Sequence, residues 1–60
     1  MKKHTAIKLA QRIERENHTC ETMYYKTWGT GNDYEVKVNN VHNIRPVVFS
    51  SVQEYEIKGI

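Results

Sequence analysis

The chain predicts an α+β fold, with one N-terminal amphipathic helix packed on a small antiparallel sheet of three to four strands. Three observations point there. Apolar residues recur at helical spacing near the start, a turn rich in glycine and asparagine joins two strand-like arms in the middle, and short apolar or alternating runs follow. The expected elements are a helix at about 5–17 and strands at about 20–28, 33–41, 46–49 and 52–58, in one domain spanning 1–60.

The helix comes first. Ala6, Leu9, Ala10 and Ile13 lie three and four apart and line one face, with Ile7 at its margin, while Lys8, Gln11, Arg12 and Arg15 face outward. Thr5 or His4 is placed to cap the start, Arg12 and Glu16 are spaced to pair, and Asn17-His18 suits the end. So short a helix is not stable alone, and it needs a sheet to cover.

The hairpin follows. The arm Glu21-Thr22-Met23-Tyr24-Tyr25-Lys26-Thr27-Trp28 is aromatic and threonine-rich, and Tyr34-Glu35-Val36-Lys37-Val38-Asn39 alternates. Between them Gly29-Thr30-Gly31-Asn32 supplies residues that accept the positive φ angles of a tight reversal. Two registers compete. A four-residue loop sets Lys26 opposite Glu35 and Tyr25 opposite Val36, so that Met23, Tyr25, Tyr34, Val36 and Val38 form the core face and Tyr24, Lys26, Trp28 and Lys37 face water. A five-residue loop that includes Asp33 instead pairs Trp28 with Tyr34 and turns Tyr24 and Trp28 toward Val36 and Val38. The first keeps charge off the core face and gains a favourable cross-strand pair, so it is preferred.

Beyond the hairpin, Asn39-Asn40-Val41-His42-Asn43 reads as a polar turn, Pro46 starts an edge, and Val47-Val48-Phe49 is a short strand. The tail admits two readings. Ser51-Val52-Gln53-Glu54 matches a helix capping box, whereas Gln53 to Lys58 alternates as a strand does. Val52, Tyr55 and Ile57 favour extended chain, and the strand is preferred.

A chain of 60 residues has a thin core. Its single cysteine, Cys20, forms no internal disulfide, and no paired Cys/His spacing marks a zinc site, so no metal or cofactor is expected. Self-association is the remaining way to stabilise it, and a homodimer is expected. No apolar run approaches a membrane span and no secretory signal is visible, so the expected location is cytoplasmic. The net charge of +2 is modest, but Lys2, Lys3, Lys8, Arg12 and Arg15 crowd the first fifteen positions.

Chemistry-bearing motifs are weak. His18, Cys20 and His42 form no recognised ligand or nucleophile pattern, Gly29–Asn32 lacks the lysine and following helix of a phosphate loop, and Glu54 with Glu56 reads as a solvated edge. No enzyme activity is expected. The exposed aromatic surface carries the functional reading instead. Tyr24, Lys26, Trp28 and Lys37 combine residue types that anchor protein interfaces. The expectation is a small protein-binding, regulatory module of the kind that phages and mobile elements use as accessory or inhibitor proteins. The alternative is a nucleic-acid-binding domain that stacks bases on the same aromatics and meets phosphates with Lys3, Lys8, Arg12 and Arg15.

Overall fold

The computed structural model describes residues 1–29, 31–42 and 44–60. Thr30 of the expected hairpin turn and Asn43 of the expected polar turn lie outside them. The elements are α1 (Lys3–Glu16), β1 (Cys20–Lys26), β2 (Tyr34–Asn40), β3 (Val47–Phe49) and α2 (Val52–Lys58). The strands form one antiparallel sheet in the order β1-β2-β3. The protein is thus α+β, with both helices on one face of the sheet.

The four stripe residues Ala6, Leu9, Ala10 and Ile13 are the buried residues of α1. Ala6 and Ala10 are small, so the helix backbone comes close to β1, and the Thr22 hydroxyl reaches the Ala10 carbonyl at 3.4 Å. The start is capped differently from expectation. Lys2 holds the N-cap position without a side-chain bond, and neither His4 nor Thr5 caps. At the other end, the Ile13 carbonyl accepts both the Asn17 backbone N–H at 2.8 Å and the Asn17 side-chain amide at 3.1 Å, so one residue closes the last turn twice.

The hairpin pairs in neither expected register. Lys26 lies opposite Tyr34, Tyr24 opposite Val36 and Cys20 opposite Asn40. The Thr27 N–H donates to the Asp33 carbonyl at 2.9 Å, which closes the ladder one pair beyond Lys26 and Tyr34. Relative to the preferred four-residue loop this is a slip of one residue. Met23 and Tyr25 therefore leave the core face, and Cys20, Thr22 and Tyr24 replace them. This register sets Thr22 beneath α1, where its hydroxyl reaches the Ala10 carbonyl at 3.4 Å, a close approach that suits a small side chain, and leaves Met23 54% exposed on the other face. The predicted Lys26–Glu35 pair is replaced by a Tyr25 hydroxyl donating to Glu35 at 3.0 Å on the uncovered face. Burial and that carboxylate both push the Tyr25 phenol up from its ordinary value, burial contributing more.

The tail is a helix, not the expected strand at 52–58. Ser51 accepts the Glu54 N–H at 3.1 Å, Glu54 accepts the Ser50 N–H at 3.2 Å, and Lys58 donates to Glu54 at 3.1 Å. These local bonds outweigh the strand preference of Val, Tyr and Ile. Helical spacing also buries the better pair: Val52 and Tyr55 turn inward, while Ile57 stays 75% exposed. The Tyr55 ring meets Phe49 edge-on, with centroids 5.3 Å apart at 83°. Phe49, Val36 and Val38 are fully buried beneath the two helices.

Met1 is tied to the start of β2 by main-chain bonds on both sides of Tyr34. Its carbonyl accepts the Tyr34 N–H at 2.6 Å, and its ammonium donates to Asp33 at 2.6 Å and to the Tyr34 carbonyl at 3.0 Å. No helix among the described residues is long and apolar enough to cross a membrane.

Candidate functional site

Geometry divides the four residues of the expected binding surface. Tyr24 and Lys26 alternate on the helix-side face of β1, Trp28 stands in the loop just beyond, and Lys37 lies on the opposite face between Met23 and Val48. Trp28 is 83% exposed and Tyr24 43%. Tyr24, Lys26 and Trp28 thus share one stretch of chain along the outer border of the sheet, and Lys37 does not join them.

That border has an open part and a closed part. In an antiparallel ladder alternate residues turn their N–H and C=O toward the neighbouring strand, and the others turn them away. The Thr27–Asp33 bond fixes the odd-numbered residues of β1 as the ones bonded to β2, so Cys20, Thr22, Tyr24 and Lys26 point their main chain outward. Two of these are already satisfied at the N–H. Cys20 donates to the Asn17 carbonyl at 3.0 Å, and Thr22 donates to the Glu14 carboxylate at 3.2 Å. The Thr22 hydroxyl also bonds Glu14. The outward N–H groups of Tyr24 and Lys26 have no such partner among the described residues.

Above this border runs a groove of about 410 Å³ between α1 and β1, with Ile7, Gln11 and Glu14 on one wall and Thr22 and Tyr24 on the other. The sequence places Ile7 at the margin of the apolar stripe and Gln11 outward, but does not join them, or Glu14, to β1. Glu14 and Thr22 are eight positions apart on different elements, and no local pattern links them.

The basic helix is less free than its composition implies. Arg12 is bound by Glu16 at 3.4 Å and by Glu56 of α2 at 3.3 Å, and it lies over the Tyr55 ring at 5.2 Å. These bonds, Glu56 first, hold the guanidinium even more firmly protonated than usual against some desolvation. Lys3, Lys8 and Arg15 have no ion pair among the described residues. At the open end of the hairpin, the buried Cys20 thiol accepts from the Asn40 amide at 3.3 Å, and His18 and His42 lie on the surface. Compared with known families, curated proteins and solved structures, the chain matches none.

Proposed function

We propose that the protein is a small non-enzymatic module that works by binding another protein and that self-associates as a homodimer. One observation carries this reading: a solvent-facing tryptophan, Trp28, adjoins a strand border whose outward Tyr24 and Lys26 main-chain groups have no partner among the described residues. An exposed indole is a large apolar surface with a single polar tip, the kind of anchor that dominates protein interfaces. Bare main chain beside it offers directional bonds that a strand of a second copy completes, which leaves the indole for the protein partner.

The nucleic-acid reading draws on Lys3, Lys8 and Arg15 of α1, which have no ion pair among the described residues. It is weaker because Arg12 is engaged by two carboxylates and Lys37 faces away from Tyr24. The two readings separate in a pull-down from the native host's lysate with tagged protein, with and without nuclease. A protein retained after nuclease treatment by the wild-type chain, and lost from Trp28→Ala, is the expected result. Retention of nucleic acid alone, with affinity falling steeply as salt rises, would support the second reading instead.

A further inference from the structure

We propose that two copies of the chain join through the open part of β1, the strands running antiparallel about a two-fold axis at Tyr25, so that their three-stranded sheets become one continuous sheet. This rests on the reading that the protein self-associates, and it names the surface and the register.

The open stretch sets the register. Tyr24 and Lys26 offer outward main-chain groups, whereas the Thr22 N–H is occupied by Glu14. A two-fold pairing that uses the open residues alone sets Tyr24 of each copy against Lys26 of the other, with Tyr25 facing its own counterpart. Shifting the axis to Tyr24 presses Lys26 against Thr22, where Glu14 already holds the N–H. Shifting it to Lys26 opposes two like charges, which destabilises a cross-strand pair.

Charge along the border is self-complementary. On the helix-side face Glu14 stands at one end of the open stretch and Lys26 at the other, and neither has an ion pair among the described residues. Antiparallel pairing carries Lys26 of each copy toward Glu14 of the other, twice by symmetry. Glu14 then has two roles. It ends the ladder at Thr22 and supplies the carboxylate that the second copy's Lys26 approaches. Pairing also covers Tyr24, now 43% exposed, with the stem of the opposing lysine and brings the two α1 grooves together at Ile7 and Gln11.

Sedimentation equilibrium on the full chain tests this, together with register-specific cross-linking. The wild type is expected to dimerise. Lys26→Glu and Glu14→Lys, each checked for folding by circular dichroism, are each expected to raise the dimer dissociation constant by about tenfold or more. Mixing the two is expected to restore a dimer, since each then meets its opposite charge at both ends. In a Cys20→Ser background, Tyr25→Cys is expected to form an intermolecular disulfide under oxidation, because residues opposed in this way lie about 4.5 Å apart at Cα, while Met23→Cys is not. The cross-link needs only the Cys20→Ser and Tyr25→Cys chain to fold, so it stands if Glu14→Lys does not. A wild type that stays monomeric overturns both this proposal and self-association. A dimer that ignores Lys26→Glu, or that cross-links at Met23 and not Tyr25, overturns this interface alone.

Discussion

The Tyr55 hydroxyl donates to the Glu16 carboxylate at 2.7 Å, joining the second helix to the last turn of the first. The same oxygen accepts from the Asn17 amide at 3.2 Å, and Arg12 lies over the ring. One side chain thus links α1, α2 and Phe49. Tyr55→Phe keeps the ring and removes the hydroxyl. It is expected to lower unfolding free energy by about 1 kcal/mol in urea denaturation, in the range of a single net hydrogen bond.

The acid limit of stability follows from Glu16 and Glu54. Glu16 is held below its ordinary value chiefly by the Tyr55 hydroxyl and next by Arg12, against some desolvation. Glu54 is held below it by Lys58 and the Ser50 N–H. For groups whose pKa falls on folding, the unfolded chain binds the proton more readily, so their contribution is complete above the ordinary carboxylate value of 4.5. It drains as pH drops through the lower folded values. Thermal melts taken from neutral pH downward are expected to hold nearly level above that value and fall below it. Glu16→Gln is expected to flatten the acid slope.

Ser51→Ala removes the acceptor of the Glu54 N–H at the start of α2. The expected cost is about 1 kcal/mol, typical of a lost N-cap. It is expected to appear as lower helical ellipticity before the main unfolding transition.

Phe49 is fully buried where β3, β2 and α2 meet. Phe49→Ala is expected to cost about 3–5 kcal/mol, comparable to the whole stability of so small a domain, roughly 3–9 kcal/mol. The expected readout is loss of a cooperative melt at room temperature. Trp28→Ala, at an exposed loop position, is expected to change stability by less than about 0.5 kcal/mol.

Helix α1 was legible because its four stripe residues repeat at one period, and all four are buried. The existence of the hairpin was legible from its turn residues; its register was not. Loops of four and five residues differ little in local energy, and the deciding contact, Thr22 beneath Ala10, joins residues twelve apart. The few tenths of a kcal/mol that a Lys26–Glu35 pair contributes are small beside the packing of α1 on the helix-side face. The tail is the opposite case: its capping box is local, and three specific bonds there outweigh the β propensity of Val52, Tyr55 and Ile57. Of the candidate surface, Tyr24, Lys26 and Trp28 are legible as neighbours in the chain. Glu14 is not, because only the fold brings it to them.

Helix α2 is seven residues long, and its inward side chains are Val52 and Tyr55. Few apolar contacts anchor a segment of that length, so its amides are the ones to exchange with deuterium through brief local openings, while those of α1 and the central strand wait for global unfolding. Each opening would lift the aromatic lid from Phe49 and wet that end of the core. Slowing deuterium uptake in the last turn is therefore a sensitive gauge of anything that tightens this protein, including variants far from the tail.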